Sequence, residues 1–438
     1  MRVLAFALLL GLMSLAVATP PTLLPEPFRL EDAIRLSLAE HPQVRRARAE
    51  RTLAEAERLE ALAERGFTAN ARAEARYLEP NVAAGDQNRH DGGLTLSLRQ
   101  PLYDFGRTGQ AIEAAEAEYR ARDIEVRRAQ TERRLEILRR YFDVVEADLA
   151  FNVASEGMAI TFIRWDRLTA RNALGQVSDI DVEAANAAFN RWRTRVRETE
   201  TRQRGTRALL ANAFNRPEDL PSTVEAPALK GNARVREAFD ALLEKARRHS
   251  PELQALRERL EAAQHRLQAA EAFGHPTLSA RFDAGVWNRD LGGRDAWAAG
   301  LVLEMPLFTG GRAQAHIHRR NAERDRRQAD LDAAALRVRQ RLLEAWLAVD
   351  VTRAKVRENQ VELDYRDLYL DRSRALYELE ARTDLGDAVT RWSEAKLAHT
   401  EAEHALAMAF ARLDALTGEP LFDRLQGIGI RLPPPPGE

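Results

Sequence analysis

The sequence contains the same series of landmarks twice, and this internal repeat constrains the fold more than any other feature. A proline that can start a helix occurs at Pro42 and again at Pro251. The segment PLYDFGR at 101–107 has its counterpart in PLFTGGR at 306–312. Matching positions stay between about 205 and 209 residues apart along the whole chain. A repeat of this length, with its landmarks in the same order, predicts a tandem duplication of one structural unit.

The N-terminus carries the features of an export signal. Arg2 supplies a positive charge, residues 3–17 are almost wholly apolar, and Ala18 ends a small-x-small cleavage site. The alternative is an uncleaved membrane anchor. No later stretch reaches the ~20 apolar residues that a transmembrane helix needs. We therefore predict an exported chain divided into a signal peptide (1–18), a first repeat (19–216), a linker (217–231), a second repeat (232–418) and a disordered Pro-rich tail (419–438).

Long stretches without proline predict unusually long helices. No proline occurs between Pro101 and Pro217, charged residues make up 30% of the chain, and aromatic residues only 6%. Such a composition suits long helices that each bury a narrow apolar stripe. Apolar residues spaced alternately by three and four indicate coiled-coil seams at Leu135, Leu138, Phe142, Val145 and Leu149, and at Leu331, Ala335, Val338, Leu342, Ala345 and Val349.

Four segments alternate in polarity with a period of two residues and predict amphipathic β-strands at 68–79, 94–103, 277–287 and 297–307. Each is close to the ~10 residues that cross a bilayer as a tilted strand. Trp287 and Trp297 flank the loop between the last two strands and are candidates for an outer aromatic girdle, with local packing as the equal alternative. The polar faces carry charges at Arg72, Glu74, Arg76, Arg99, Arg281, Asp283 and Glu304.

The charged faces allow two interpretations. A sheet on a soluble domain also has one polar face, so no single segment decides the question. Together, four such strands at helix ends favour a barrel that is apolar outside and charged around a watery lumen. A sheet edge cannot face lipid, and four strands are too few to close, since about eight is the usual minimum. We therefore predict a mainly α fold of long antiparallel coiled-coil helices with a small transmembrane β part, in which three chains share twelve strands.

The two strand-to-helix segments, 100–107 and 305–312, carry a specific resemblance. Together with the helix starts and the turns before Asp181 and Asp387, they resemble the outer-membrane efflux protein family, the TolC-like channels of Gram-negative bacteria. The resemblance extends from about residue 28 to residue 418. It implies a homotrimer with a 12-stranded barrel in outer-membrane lipid and a helical tunnel through the periplasm. It further implies an exit duct of a tripartite efflux or type I secretion system, docked to a periplasmic adaptor and, through it, to an inner-membrane pump.

The resemblance also implies functional residues at the turns between the long helices. Family members place aspartates there that ring a closed entrance, and the candidate gate residues are Asp181, Asp387, Asp179 and Asp384. The family's second aspartate is replaced by Ala184 and Thr390, so the sequence leaves open whether the gate carries a second acidic ring. For each aspartate, helix capping is the alternative role. Candidate adaptor contacts, with ordinary turn packing as the alternative, are Leu174, Gly175, Leu379, Glu380 and Ala381.

Other function classes find little support in the residues. The chain has no cysteine and a net charge of −1, which excludes thiolate chemistry and gives no reason to expect nucleic-acid binding. Phosphate-binding loops, metal-ligand spacings and nucleophile elbows are also missing from the sequence. We therefore expect no enzyme, cofactor or metal site. The alternatives that stay open are a periplasmic coiled-coil adaptor and a structural exported protein; the substrate of a channel (drug, metal ion or protein) is equally open.

Overall fold

The structure, a computed structural model, describes residues 24–37, 41–80, 86–288, 295–379 and 385–421. The order helix, helix, strand, strand, helix, helix occurs twice along the chain. The first copy contains α1 (Leu30–Ser37), α2 (Pro42–Ala63), β1 (Thr68–Tyr77), β2 (His90–Tyr103), α3 (Arg107–Ala173) and α4 (Asp179–Ala213). The second contains α5 (Phe239–His249), α6 (Pro251–Glu271), β3 (Thr277–Trp287), β4 (Trp297–Glu304), α7 (Arg312–Glu378) and α8 (Leu385–Thr417).

Local sequence signals explain where the long helices begin. α2 and α6 each start with proline at the first turn, where its missing N–H costs nothing. α3 and α7 follow Gly106 and Gly311, whose φ angles of 86° and 80° suit glycine. Both of these helices have 67 residues and therefore extend over about 100 Å.

The helices form pairs within each copy and a seam between the copies. α3 packs along α4, and α7 packs along α8. α6 contacts both α3 and α7, while α8 contacts α3, so the two copies share their packing. Two apolar clusters hold this arrangement together. One surrounds Tyr141 and Phe214 in the first copy, and the other surrounds Leu342 and Phe410 in the second.

One predicted seam position on α7 is wrong. Ala334, rather than Ala335, is buried with Val338, Leu342 and Val349, whereas Ala335 is exposed. A helix with 3.6 residues per turn drifts by about 20° per heptad from a strict 3.5-residue repeat. The buried positions 334, 338 and 342 are separated by two successive spacings of four, which follow the 3.6-residue turn more closely than a strict alternation of three and four.

The predicted linker is attached to the core of the first copy. Phe28 and Val224 form a parallel bridge, in which the Phe28 N–H donates to the Thr223 carbonyl at 2.8 Å. The buried Tyr141 hydroxyl donates to the Glu225 carbonyl at 2.5 Å, and the Phe28 carbonyl oxygen lies 3.1 Å from the same hydroxyl. Burial raises the pKa of this phenol strongly, so it remains a hydrogen-bond donor at all ordinary pH values.

Candidate functional site

The four strands form one antiparallel sheet in the order β1-β2-β3-β4, and their register aligns the apolar residues of all four. Leu96 lies opposite Ala71 on one side and Ala284 on the other. Ala284 in turn lies opposite Trp297. Because side chains alternate between faces, every second row repeats this arrangement. One face of the sheet is thus apolar from edge to edge.

The opposite face carries all seven charged residues that the sequence analysis assigned to it. Three of its arginines bind a carboxylate of the same face. Arg76 contacts Asp91 at 2.7 Å, Arg281 contacts Asp283 at 2.6 Å, and Arg72 contacts Glu74 at 3.9 Å. Asp91, which the sequence analysis missed, is only 3% exposed. Asp91 has the same parity along β2 as Thr95, Ser97 and Arg99, and this alternation is the signal that could have identified it.

The two tryptophans occupy different faces. Trp297 lies on the apolar face and stacks on Phe282, with ring centroids 6.4 Å apart. Trp287 lies on the charged face, so the expectation that it marks an outer aromatic girdle is wrong. Its ring covers Gly93 and Gly285, where an added Cβ would come within 2.3 Å of the indole. Side chains alternate between the two faces along a strand, so position 287 points away from the face that carries the apolar positions 284 and 286.

Both edges of the sheet are open within one chain. β1 and β4 pair with a neighbour on one side only, and every residue of the two strands is exposed. Such an edge presents unpaired N–H and C=O groups that another strand can bind. Among the described helices, none has an apolar stretch long enough to cross a membrane.

The turn from α3 to α4 contains two of the candidate gate residues. Asp181 forms a capping box with Ser178, whose hydroxyl donates to the carboxylate at 2.7 Å. Asp179 accepts a hydrogen bond from the Asn172 amide at 2.8 Å. Leu174, a candidate adaptor contact, is 72% exposed. The neighbouring Gly175 has a φ of 70°, which permits the tight reversal.

The turn from α7 to α8 is described only in part. Leu379 is 77% exposed, whereas Glu380, Ala381 and Asp384 lie outside the described residues. Asp387 differs from its counterpart Asp181, because it binds Arg164 of α3 at 2.8 Å. No sequence pattern marks Arg164, since its partner is 223 positions away in the chain.

The seam between α3 and α8 also contains a buried polar pair. The His404 imidazole is 3% exposed, lies 3.0 Å from the Glu146 carboxylate and stacks on Phe142 at 4.1 Å. Asp143 lies one turn away on α3, and burial together with the Glu146 charge raises the pKa of its carboxyl. Within the described part of the chain, no group of three acidic or histidine side chains is arranged to hold a metal ion.

Comparisons with known proteins point to one family. The model of the family described as outer membrane efflux protein matches residues 242–419. The outer membrane efflux protein BepC of Brucella suis biovar 1 is 22% identical over 343 residues, which cover 77% of this chain and 74% of that protein. The toluene efflux pump outer membrane protein TtgF of Pseudomonas putida is 28% identical over 270 residues, or 57% of this chain and 52% of that one.

The fold has solved counterparts. The crystal structure of the CmeC outer membrane channel of Campylobacter jejuni superposes with a TM-score of 0.74. It shares 15% sequence identity and covers 89% of this chain and 85% of that one. At this identity the likeness establishes the fold: long paired helices that carry a small antiparallel sheet.

Proposed function

We propose that this chain, whose residues 242–419 match the model of the outer membrane efflux protein family, is the trimeric exit duct of a tripartite efflux system. In this role it passes substrate from an inner-membrane pump and a periplasmic adaptor to the outside of a Gram-negative cell. The protein acts as a conduit without catalytic chemistry or cofactor. Efflux is favoured over protein secretion, because the relatives described above are named for efflux.

The observation that carries this proposal is the aligned sheet with one apolar and one charged face. In a bilayer the apolar face contacts lipid, and the charged face lines water. The four strands have 10, 14, 11 and 8 residues, lengths that bracket the 9–11 residues that span the hydrocarbon as a tilted strand. With an even number of antiparallel strands, β4 of one chain can pair antiparallel with β1 of the next. Three chains then close a 12-stranded barrel and leave no edge in lipid.

The alternative functions require a different use of the same sheet. Neither a periplasmic adaptor nor a structural coiled coil needs a sheet with an exposed face that is apolar across all four strands. In water, such an exposed face together with two open edges would cause aggregation. The sheet therefore favours membrane assembly over both alternatives.

The proposed duct can be tested by fractionation and by conductance. We expect the mature protein in the outer membrane, extracted as a trimer whose chains have 49.3 kDa less the signal peptide. In planar bilayers the purified trimer should form ion-conducting pores. A stable monomer in the soluble periplasmic fraction that forms no pores would contradict the proposal.

We further propose that the pair of Arg164 and Asp387 holds the periplasmic end of the duct closed. The pair joins α3 of the first copy to the start of α8 in the second, so it must break if these helices move apart. Close by, an added Cβ at Gly386 would lie 2.8 Å from Ile160, which shows how tightly the two helices pack here. Asp181 is assigned to helix capping instead, because its carboxylate is bound within its own first turn.

Single-channel recordings can separate the two aspartates. Asp387→Asn should raise the mean conductance or the open fraction, because it removes the charge that binds Arg164. Asp181→Asn is the matched control and should leave conductance unchanged, at a stability cost of about 1 kcal/mol or less for a weakened cap. Exchanging the charges with Arg164→Asp and Asp387→Arg should restore the original conductance. Equal effects of the two single variants would contradict the assignment.

The exposed turns are the proposed contacts for the adaptor. Leu174 and Leu379 present apolar side chains at the two helix ends that lie farthest along the chain from the sheet. Exposed apolar residues at rigid turns are suitable anchors for a partner. Gly175 and the predicted contacts Glu380 and Ala381 belong to the same two turns.

A further inference from the structure

One row of the charged face contains two arginines side by side. Arg99 of β2 lies directly opposite Arg281 of β3. The row continues with Thr68 on β1 and Gly300 on β4. Like charges directly opposite each other destabilise an antiparallel pair. Sheet packing alone therefore does not account for two arginines placed directly opposite each other in this row.

The carboxylates of the face neutralise only one of the two arginines in this row. Asp283 lies two residues from Arg281 on the same strand and binds it at 2.6 Å. Arg72 and Arg76 have their own partners in Glu74 and Asp91. Among the described residues, no carboxylate forms an ion pair with Arg99, whose side chain is exposed on this face. The row thus keeps one uncompensated guanidinium in each chain.

The surroundings of the two arginines leave space for a solute. At Gly300, next to Arg281 in the row, an added Cβ would meet no atom within 4 Å. Thr68, at the other end of the row, is a small hydrogen-bonding side chain. Guanidinium groups bind carboxylates and phosphates through paired N–H donors, which gives both strength and geometry.

We propose that Arg99 and Arg281 form an anion-binding ring inside the barrel, which selects or holds substrates bearing carboxylate or phosphate groups as they leave. The ring rests on the proposed duct, because three chains are needed to bring six guanidinium groups around one lumen. Rings of arginine or lysine side chains favour anions in other pores. The ring lies in the barrel and is separate from the aspartates of the helix turns.

The test uses wild-type trimers in planar bilayers, with pyrophosphate added on the barrel side as the probe. Pyrophosphate should reduce the current, and Arg99→Gln should raise the half-blocking concentration about tenfold or more, as expected for a lost charge-assisted hydrogen bond. Arg76→Gln removes the same charge from the same face and is the matched control; it should change the block far less. Arg99→Lys keeps the charge and should retain anion preference with weaker block, since it loses the paired donors.

The outcomes distinguish the ring from the duct. Wild-type protein without pores would overturn the duct and the ring together. Pores that pyrophosphate does not block, or that Arg99→Gln and Arg76→Gln affect equally, would overturn the ring alone. If Arg99→Gln assembles poorly, the comparison of wild type with Arg99→Lys still decides the question: identical block in these two proteins would contradict a bidentate site.

Discussion

Single residues at equivalent places in the two copies have different partners. Asp387 binds an arginine of a neighbouring helix, whereas Asp181 is bound within its own turn. The reason lies on the partner helices. α3 presents Arg164, but the equivalent positions of α7, 205 and 206 residues later, are Tyr369 and Leu370. The matching aspartates are recognisable in the sequence by their place after a turn. Their partners are not recognisable in this way, because a side-chain contact over 223 positions leaves no periodic signal.

The end of α8 offers a prediction for one residue. Gly418 has a φ of 74°, and an added Cβ would lie 2.4 Å from the backbone oxygen of His249, which cannot move away easily. Gly418→Ala should therefore destabilise each chain by at least about 1 kcal/mol from the left-handed conformation alone. Heat-induced dissociation of the purified trimer measures the effect. Gly274→Ala is the control, because a Cβ there meets nothing within 4 Å and the φ angle is ordinary; equal losses in both variants would refute the argument.

At the scale of whole elements, the sequence predicted the structure well. The predicted end of α3 at about residue 170 lies close to the observed Ala173, and the predicted strands overlap all four observed ones. Prolines, glycines and the spacing of apolar residues are signals within a short stretch of sequence, so they predict where each helix and strand begins and ends. The seam of α7 was less predictable, because the helix packs against both α6 and α8 and its buried stripe follows the geometry of two neighbours. The identity of the buried alanine, 334 or 335, depends on that packing.

Asp143 on α3 predicts a pH dependence of stability. Burial, followed by the Glu146 charge, raises the pKa of this carboxyl above its ordinary value of 3.8. A carboxyl with a raised folded-state pKa favours folding below the ordinary value, and this contribution is lost as the pH rises through the folded-state pKa. Asp143→Asn should therefore dissociate at a higher temperature than wild type at pH 7, and this difference should shrink as the pH falls towards 4.

A neighbouring carboxylate supplies the control for Asp143. Asp148, on the same helix, binds the Arg207 guanidinium through both oxygens at 2.6 and 2.9 Å. Asp148→Asn should lower the dissociation temperature at pH 7, because it weakens a paired, charge-assisted contact. Two variants that shift the temperature in the same direction at pH 7 would show that the charge environment of α3 has been assigned incorrectly.

At the scale of the whole molecule, the duplication and the sheet determine the assembly. Each copy contributes two strands and a pair of long helices, and neither copy can cover both edges of the sheet. The polarity pattern predicted the two faces correctly, because side-chain parity in a strand follows from the sequence alone. The exception, Trp287, was assigned by its residue type instead of its parity. Which strands are neighbours required the structure, since β2 and β3 are joined through pairing between distant parts of the chain.

Two adjacent residues on β2 test this assembly most directly. Leu96 belongs to the apolar face, whereas Ser97 lies on the charged face in the row of Asp283. Leu96→Arg should impair assembly into the outer membrane, at a cost of roughly 2–4 kcal/mol per chain if the site is near the bilayer midplane. Ser97→Arg introduces the same side chain one position further along, where it enters the water-lined interior, and should be tolerated. The measurement is the yield of heat-resistant trimer in the outer-membrane fraction; similar losses in both variants would mean that the sheet does not separate lipid from water as proposed.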